Sequence, residues 1–472
     1  MSEEPAPKWK AKHAWCMVPR RTPPKRSAAE RVADFLEIYS SYDEATAREQ
    51  ASRCIQCPEP LCVTGCPLSN RIPEWLALTA EGHFLEAAAL SGSTSNMPEL
   101  CSRVCPQERL CEGSCILNTR SEPVSIGAVE RFINEYAFHH EAVNAAPAPP
   151  NGFTVAVIGS GPGGMACADE LAKLGYKVTV FESQMLPGGL LVNGIPAFKL
   201  EKTIVARRIE VLRRRGVQFR LGVKVGWDIS LTALLREFDA VFLGIGAQRA
   251  KPLDVPGAEF KGIYQGLPFL IQKNVDVPTD FPPIDVRGKQ VVVLGGGDTA
   301  MDCLRTAVRC GAADTLCLYR RDLENMPGSR KEYANALEEG AKFEFLTNPI
   351  CLLGDAAGHV THVRCVRMEL GVADATGRRK PRAVAGSEFE VPATVVLVAY
   401  GFDPVPFPPE SDLAQITFND WGAVVVDAQQ MTSVPGVFAG GDLVRGPSLV
   451  VHAVRDGRKA AQAIDRFITK KD

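Results

Sequence analysis

"T-V-A-V-I-G-S-G-P-G-G-M-A-C-A-D-E-L", residues 154–171, combines a short apolar run with a glycine-rich turn. The run ends at Ile158, and Gly159, Gly161 and Gly164 then follow the pattern G-x-G-x-x-G. The first glycine permits a tight turn, the second lets a pyrophosphate approach the backbone, and the third lets helix and strand pack closely. The phosphates then lie at the helix N-terminus. The stretch therefore predicts a dinucleotide-binding βαβ unit.

An acid marks the ribose position of this first unit. The next predicted strand covers residues 177–181 and is followed by Glu182, where a carboxylate accepts hydrogen bonds from a ribose diol. Pro162 and Gly163 complete the loop, and Gly189 is assigned to the same site. A structural glycine-rich turn is the alternative. The register of strand, motif, helix, strand and acid favours a bound FAD.

A second motif, "V-L-G-G-G-D-T-A-M-D-C" (293–303), also lies between a predicted strand and a predicted helix. Gly295, Gly297 and Ala300 fit the pattern G-x-G-x-x-A. The other loop residues assigned to this site are Gly296, Asp298 and Thr299. Two such motifs predict two dinucleotides, one for each domain.

Arginines replace the ribose acid in the second unit. Its next strand ends in "L-Y-R-R-D", which places Arg320 and Arg321 at that position. A guanidinium group suits a 2′-phosphate because it donates charge-assisted, paired hydrogen bonds. The sequence therefore predicts NADPH rather than NADH at this site, with Arg330 as a further candidate for the phosphate. A solvated basic turn is the alternative.

Short β-branched runs alternate with amphipathic stretches after residue 152, which is typical of parallel sheets in α/β domains. The predicted strands are 154–158, 177–181, 240–244, 290–294, 315–319 and 395–399. Residues 142–152, "A-V-N-A-A-P-A-P-P-N-G", break all periodicity and predict a linker. Residues 27–141 carry helical patterns and predict an all-helical domain before it.

The composition excludes several classes of protein. The 472 residues carry a net charge of −2, which offers no basic field to nucleic acid. No apolar run approaches the roughly 18 residues of a membrane span, and the N-terminus has no hydrophobic signal segment. We expect a cytoplasmic protein that binds neither nucleic acid nor membrane.

Residues 1–26 are rich in Pro, Lys and Arg and predict a basic extended arm. Ser27 and Glu30 then form a capping-box pattern that opens a short helix. The arm is a candidate for docking a partner subunit, and a disordered tail is the alternative. Its basic residues are Lys8, Lys10, Lys12, Arg20, Arg21, Lys25 and Arg26.

Eight of the 15 cysteines lie between residues 54 and 115, with spacings C-x2-C-x4-C-x3-C-P and C-x3-C-P-x4-C-x3-C. Compact runs that include Cys-Pro are typical of iron–sulfur ligation. Zinc bound by four cysteines is the alternative. No C-x-x-C follows residue 150 to take electrons from a flavin, which favours 4Fe–4S clusters as the outlet. The six later cysteines lie among apolar neighbours and are predicted to be ordinary buried side chains.

The stretch "V-F-A-G-G-D-L-V-R-G-P-S-L-V-V-H-A-V-R-D-G-R-K-A-A" (437–461) resembles the pyridine-nucleotide flavin oxidoreductases. The resemblance implies that Gly441 and Asp442 hold FAD. It also implies an FAD domain, residues 153–252 and 395–472, split around an inserted NADPH domain, residues 253–394. The predicted fold class is thus α/β, with two Rossmann-like domains preceded by an all-helical iron–sulfur domain.

Further segments resemble the small (β) subunits of NADPH-dependent glutamate synthases. They are "C-P-L-S-N-R-I-P-E-W-L", "R-V-C-P-Q-E-R-L-C-E-G-S-C", "G-I-P-A-F-K-L-E-K", "Y-R-R-D-L-E-N-M-P-G-S-R" and "A-G-G-D-L-V-R-G". The resemblance implies an electron-input subunit that oxidises NADPH through FAD and passes electrons through two 4Fe–4S clusters. The partner is then a large (α) subunit, with FMN and a glutaminase, that makes L-glutamate from 2-oxoglutarate and L-glutamine. The flavin carries the chemistry, so no catalytic side chain is assigned.

The resemblance also divides the cysteines between two clusters. The implied ligands of cluster 1 are Cys54, Cys57, Cys62 and Cys115. Those of cluster 2 are Cys66, Cys105, Cys111 and either Glu130 or Cys101.

Two other functions fit parts of the pattern. One is the electron-input module of another NADPH-dependent complex, such as dihydropyrimidine dehydrogenase or a ferredoxin-linked transhydrogenase. The other is a zinc-stabilised interaction protein with a degenerate nucleotide fold. A visible absorption spectrum distinguishes the zinc protein from a flavin and iron–sulfur protein, because zinc does not absorb visible light.

Overall fold

The computed structural model describes residues 14–143, 145–276, 281–373 and 379–470. Within these ranges the α-helices are α1 (Ala14–Met17), α2 (Ala28–Val32), α3 (Glu44–Ser52), α4 (Leu61–Thr64), α5 (Ile72–Glu81), α6 (Phe84–Thr94), α7 (Pro98–Val104), α8 (Ile126–His139), α9 (Pro162–Lys173), α10 (Leu190–Asn193), α11 (Lys202–Arg214), α12 (Leu231–Glu237), α13 (Gly266–Asn274), α14 (Asp298–Arg309), α15 (Arg330–Glu338), α16 (Asp442–Arg445) and α17 (Val450–Thr469). Short 3-10 helices cover Gln107–Arg109, Ile116–Thr119 and Asp412–Gln415.

The strands all follow the helical N-terminal part. They are β1 (Thr154–Ile158), β2 (Lys177–Glu182), β3 (Gln218–Leu221), β4 (Ala240–Leu243), β5 (Arg249–Ala250), β6 (Ile263–Gln265), β7 (Gln290–Leu294), β8 (Asp314–Tyr319), β9 (Lys342–Phe345), β10 (Thr347–Gly354), β11 (Val360–Ala373), β12 (Arg379–Ala383), β13 (Phe389–Pro392), β14 (Val395–Val398), β15 (Phe402–Asp403) and β16 (Val437–Ala439). Each of the six strands predicted from the sequence is present.

The first α/β domain contains a parallel five-stranded sheet in the order β16-β4-β1-β2-β3. Both faces are buried, which is why β1 and β4 are continuous apolar runs rather than alternating ones. Helices α9 and α17 pack against each other on one face. The carboxyl end of β1 therefore meets the N-terminus of α9 at the edge where ligands bind in such sheets.

The second α/β domain repeats this plan with the order β6-β14-β7-β8-β9, again parallel. An antiparallel sheet of β10 to β13 packs against one of its faces. The predicted boundary at residue 395 is wrong, because β14 pairs with β6 and β7 and so completes this second sheet. The strand that returns to the first sheet is β16, through its pairing with β4.

Two short antiparallel strands, β5 and β15, mark where the chain leaves the first α/β domain and comes back. Arg249 pairs with Asp403 and Ala250 with Phe402. The second domain is thus inserted into the first and is joined to it through this ribbon.

The N-terminal domain consists of short helices around an apolar core that includes the fully buried Trp75. The capping box predicted at Ser27 and Glu30 is confirmed at the start of α2. This domain lies against the first α/β domain, where the buried Glu99 accepts two hydrogen bonds from Arg208, both at 2.7 Å. Between residues 142 and 152, the described part carries neither helix nor strand.

The described part of the predicted arm, residues 14–26, is not free. Arg20 forms an ion pair with Glu112 at 2.6 Å, and Lys25 forms one with Glu338 at 2.7 Å. Its basic side chains find carboxylates of the same chain, so the alternative of a disordered tail is wrong for these residues. Lys8, Lys10 and Lys12 lie outside the described residues.

Candidate functional site

The first dinucleotide loop joins β1 to α9. Gly159 has a φ of +94°, and a Cβ added there would meet the carbonyl oxygen of Gly244 at 2.6 Å. A Cβ at Gly164 would overlap the carbonyl oxygen of Gly159. At Gly161, the N-cap of α9, an added Cβ meets no atom within 4 Å. The open space at this helix N-terminus fits a pyrophosphate, while Gly164 keeps the helix close to the strand.

Glycines also hold α17 against this loop. Pro162 begins α9, where its missing N–H costs nothing. A Cβ on Gly457 of α17 would overlap the carbonyl oxygen of Gly163. The two helices therefore touch backbone to backbone, and the loop is enclosed by packed secondary structure.

Glu182 lies beside the loop, as the motif predicts. Its Oε2 accepts hydrogen bonds from the N–H of Ser160 at 2.9 Å and from the Ser160 hydroxyl at 2.6 Å. The same hydroxyl oxygen accepts from the N–H of Gly188 at 2.9 Å. A Cβ on Gly189 would lie 3.0 Å from the Cα of Gly161. Glu182, the first loop and the pair Gly188–Gly189 thus lie next to one another.

The Gly441–Asp442 turn caps α16 next to the same sheet. Gly441 has a φ of +70°, and its N–H donates to Asp456 Oδ2 at 3.1 Å. Arg445 holds this carboxylate with two hydrogen bonds, at 2.7 and 2.5 Å. Asp442 accepts from the N–H of Ser448 at 3.1 Å, and burial raises the pKa of Asp442 to about 7. Asp456, itself held by Arg445, therefore keeps the Gly441–Asp442 turn in place through its hydrogen bond to the N–H of Gly441.

The second loop joins β7 to α14 with the same geometry. Gly295 has a φ of +139°, and a Cβ there would overlap the carbonyl oxygen of Ala399. A Cβ on Gly296 would meet the ring of Tyr319 at 2.5 Å. Gly297 is the N-cap of α14, and an added Cβ meets nothing within 4 Å. This helix N-terminus also leaves open space that fits a phosphate.

A loop rather than a helix covers the second site. The N–H of Gly328 donates to the carbonyl oxygen of Gly296 at 2.9 Å. Asp298, the first residue of α14, accepts from the N–H of Ser329 at 3.0 Å, and Thr299 follows in the same turn. Residues 322–329 are thereby held over the glycine turn.

The arginine pair follows β8 directly. Arg320 is exposed, and Arg321 is half-buried with an Nε that has no hydrogen-bond partner. Arg330 donates to the carbonyl oxygen of Glu324 at 3.0 Å. It also lines a cavity of about 330 Å³ between the N-terminal domain and the two α/β domains. The exposed guanidinium group of Arg320 is open to an anion from solvent, and the roles of all three arginines remain predictions.

Four thiols, the first cysteine group, come together where the two cysteine-rich loops meet: Cys54, Cys57, Cys62 and Cys115. Burial, and then the proximity of the other thiols, raises the pKa of Cys62 to about 12. A Cβ on Gly65 would overlap the hydroxyl of Ser114, so glycine lets the two loops touch. This set joins three cysteines of the first run to the last of the second.

The second cysteine group lines a small cavity and consists of Cys66, Cys101, Cys105 and Cys111, with Glu130 beside them. Glu130 Oε1 accepts hydrogen bonds from Asn70 Nδ2 and Ser91 Oγ, both at 3.2 Å. Burial raises the pKa of Glu130 to about 8. Both candidates for the fourth ligand, Glu130 and Cys101, therefore face the same cavity.

The donor sets fit iron–sulfur clusters, because thiolates are their usual ligands. In the described ranges, no three His, Cys, Asp or Glu side chains are grouped tightly enough to hold one metal ion. A 4Fe–4S cluster distributes its ligands over four irons, so it suits a wider grouping. The assignment of individual ligands stays a prediction.

Two family models match the chain. Residues 31–142 match the dihydropyrimidine dehydrogenase domain II, 4Fe-4S cluster family. Residues 153–457 match the pyridine nucleotide-disulphide oxidoreductase family. The boundary between the two matches falls within the predicted linker.

Whole-chain relatives narrow the family. The glutamate synthase [NADPH] small chain of Azospirillum brasilense is 47% identical, over 96% of this chain and 95% of the relative. That of Escherichia coli K12 is 46% identical, over 95% of this chain and 97% of the relative. The chain belongs to the glutamate synthase small-chain family. The putative oxidoreductase AegA of Escherichia coli K12 is 44% identical, but this chain covers only 69% of its length.

Solved structures support the fold of this small-chain family member. FprA from Mycobacterium tuberculosis, in complex with NADPH, aligns with a TM-score of 0.59 at 20% identity, over 68% of this chain and 85% of that one. The predicted family and the α/β fold class with a helical iron–sulfur domain are confirmed. The predicted cofactors FAD, NADPH and 4Fe–4S clusters are confirmed by the family models and the whole-chain relatives. No helix among the described residues is long and apolar enough to cross a bilayer.

Sequence reasoning missed residues that support the site of this small chain. Ser160 connects Glu182 to Gly188, and Asp456 holds the Gly441 turn. Gly328 presses the covering loop onto the second glycine turn. The glycines gave a signal, because Gly328 and Gly457 lie in the segments quoted above. Ser160 and Asp456 gave none, because their partners are 22 and 15 residues away along the chain.

Proposed function

We propose that this chain is the electron-input subunit of a glutamate synthase. Bound FAD would take a hydride from NADPH, and 4Fe–4S clusters would carry single electrons to a large subunit that makes L-glutamate from 2-oxoglutarate and L-glutamine. The end-to-end match to glutamate synthase small chains supports this assignment. The FMN and the glutaminase of the large subunit are part of the proposal.

Each nucleotide site has a defined set of residues in this proposal. The first loop, Glu182 and the Gly441–Asp442 turn bind FAD. The second loop and the arginines Arg320 and Arg321 bind NADPH. Because hydride transfer requires correct stacking of two rings, the protein contributes position and electrostatics rather than an acid or a base.

One contact supports the proposal that electrons pass from the flavin to the clusters. Val451, in the first turn of α17, lines the cavity of the second cysteine group. Helix α17 follows the Gly441–Asp442 turn and packs on α9 of the first loop. The proposed FAD site and the second cysteine group would therefore be neighbours.

The test uses the purified chain with and without the large subunit. The chain alone should oxidise NADPH with a tetrazolium dye and make no glutamate, and adding the large subunit should couple NADPH oxidation to glutamate formation. The variant Cys66→Ala should keep FAD reduction by NADPH and lose glutamate formation in the complex. Glutamate made by the chain alone, or normal synthesis by a cluster-deficient variant, would contradict the proposal.

A second candidate is an electron-input module for another acceptor. The putative oxidoreductases AegA and UacF are 44% identical to this chain, which shows that the same build occurs in longer proteins. The chain covers 69% and 71% of those two, against 95% and 97% of the glutamate synthase small chains. The full-length agreement favours glutamate synthase. Failure of the large subunit to accept electrons from a chain that reduces dyes would favour the second candidate.

A cytoplasmic location belongs to the same proposal. Free thiols persist in reducing compartments, and this chain has eight cysteines in the two runs assigned to clusters. Fractionation of the native source, with a cytoplasmic marker enzyme as the control, tests the location.

A further inference from the structure

A group of charged residues, the interdomain network, joins three parts of the chain, and all of its members except the exposed Glu338 are buried or half-buried. The parts are the N-terminal segment 25–39, the pair Phe198–Lys199 of the first α/β domain, and helices α14 and α15 of the second. The members of the network are Arg31, Lys199, Asp302, Arg305, Arg309, Glu332, Glu338 and Glu339.

Lys199 connects the two nucleotide-binding domains directly. Its Nζ lies 2.8 Å from Asp302 Oδ1 and 3.8 Å from Glu332 Oε2. The three side chains are 13%, 8% and 11% exposed, so water screens these pairs weakly. Although burial lowers it, the carboxylates of Asp302, Glu332 and Asp298 raise the pKa of Lys199 above its ordinary value. The lysine therefore stays charged and paired across the interface.

Phe198 extends the contact next to Lys199. Its ring centroid lies 4.4 Å from the guanidinium carbon of Arg305 and 4.0 Å from that of Arg309. Both arginines bond to Glu339 within the second domain, Arg305 at 2.8 Å and Arg309 at 2.6 Å. The segment "G-I-P-A-F-K-L-E-K" thus contributes an aromatic ring and a charge to the same interface.

The N-terminal segment 25–39 forms bonds to both nucleotide-binding domains. Arg31, only 1% exposed, lies 2.6 Å from Glu338 and 3.2 Å from Glu339. The Tyr39 hydroxyl donates to Asn335 Oδ1 at 3.0 Å. The N–H of Ile38 donates to the carbonyl oxygen of Phe198 at 3.2 Å. One short segment therefore bonds to α15 of the second domain and to the Phe198 backbone of the first.

The connection between the domains explains what the network does. The second domain is attached through the β5–β15 ribbon, and a domain joined at one such point turns as a hinge unless other contacts hold it. The network provides such contacts on α14, the helix that begins at the second nucleotide loop, and Asn274 of α13 adds hydrogen bonds to the carbonyl oxygens of Asn193 and Gly194. The position of α14 determines where the second nucleotide loop lies relative to the first nucleotide loop.

We infer that Lys199 is a positioning residue for hydride transfer, which holds the NADPH domain in the orientation that brings the nicotinamide to the flavin. The inference rests on the proposed function, because it concerns the same two nucleotide sites. Lys199 acts through its ion pairs with Asp302 and Glu332, and Asp302 lies one turn along α14 from Asp298 of the second loop. Loss of Lys199 leaves the NADPH site itself intact but displaces that site relative to the flavin site.

The experiment compares Lys199→Met with Lys342→Met in the holoenzyme. Lys342 forms a similar lysine–aspartate pair with Asp314, but that pair is exposed and lies within one domain. Because misplacement by about 1 Å can cost on the order of a hundredfold in rate, flavin reduction by saturating NADPH should slow at least about tenfold in Lys199→Met. The Kd for NADP⁺ should stay within about twofold of wild type. Lys342→Met should match wild type.

Two further readouts separate positioning from general damage. Hydrogen exchange should speed up at β5 and β15 in Lys199→Met, and Lys199→Arg should restore most of the reduction rate. FAD and iron contents show that the variants are folded. If Lys199→Met does not fold, Tyr39→Phe decides, because it removes one hydroxyl and should slow flavin reduction several-fold with NADP⁺ affinity unchanged.

Three results would overturn the inference. They are an unchanged reduction rate in the folded variant, a rate loss that parallels a loss of NADP⁺ affinity, and unchanged exchange at β5 and β15. A wild-type chain that NADPH does not reduce would instead overturn the proposed function. The two failures are therefore distinguishable.

Discussion

The two dinucleotide loops share one strand–turn–helix geometry but differ at the third motif position and in what covers them. In the first loop a Cβ on Gly164 would overlap a backbone oxygen, whereas the second loop accommodates the fully buried methyl group of Ala300. Helix α17 packs over the first loop, and the loop of residues 322–329 covers the second. Packed helices suit a resident cofactor, and a loop suits a nucleotide that enters and leaves at each turnover.

The largest expected effect comes from the third motif position. Gly164→Ala places a methyl group on the carbonyl oxygen of Gly159, so α9 must move away from β1 and we expect less than about a tenth of the wild-type FAD content. The matched change Ala300→Gly should cost only about 1 kcal/mol of helix stability and keep FAD. Flavin absorbance per protein and thermal unfolding measure both. Normal FAD content in Gly164→Ala would show that the first loop tolerates a wider spacing.

The next effect concerns the charge that follows the second strand of each unit. Replacing Arg320 and Arg321 by Ala should raise the KM for NADPH about ten- to a hundredfold, because one charge-assisted contact is worth roughly 1.5–3 kcal/mol. The KM for NADH and the FAD content should change little, since neither depends on the 2′-phosphate. Steady-state kinetics with both nucleotides and a dye acceptor measure this, and equal effects on NADPH and NADH would remove the arginines from the phosphate site.

The sequence pattern predicted the strands and glycine turns, because these depend mainly on neighbouring residues in the chain. The runs at β1 and β7 are β-branched and bounded by glycine turns, so their strands and loops could be read directly. The assignment of residues 395–399 to the first sheet failed because sheet membership depends on pairing. Val395 lies beside Val291, about a hundred residues earlier, and nothing near Val395 encodes that partner.

The candidate site was predictable to the same extent. Glycine positions follow from backbone conformation, and Glu182 follows from its fixed distance after the motif. The division of cysteines between two clusters came from family resemblance rather than spacing. The interdomain network was not predictable, because its ion pairs join Lys199 to Asp302 and Arg31 to Glu338 across 103 and 307 positions.

The smallest expected effect compares the acids that begin a helix in each site. Asp298 and Asp442 each follow glycines and accept one backbone N–H, from Ser329 and Ser448 respectively. Burial raises the pKa of Asp442 from 3.8 to about 7. Between these values the folded, FAD-free chain binds more protons than the unfolded chain, so the carboxyl of Asp442 makes the fold less stable as the pH rises through this window.

Asp442→Asn removes this titration. Because one pKa unit corresponds to about 1.4 kcal/mol, the variant without FAD should be more stable than wild type by at least about 1 kcal/mol above pH 7. The gain should shrink as the pH falls from 8 towards 4, where the wild-type carboxyl is protonated in the folded chain. Urea unfolding of the FAD-free forms across this range measures the difference. A gain that does not change with pH would show that Asp442 titrates normally and that the first site tolerates a charged carboxylate at the start of α16.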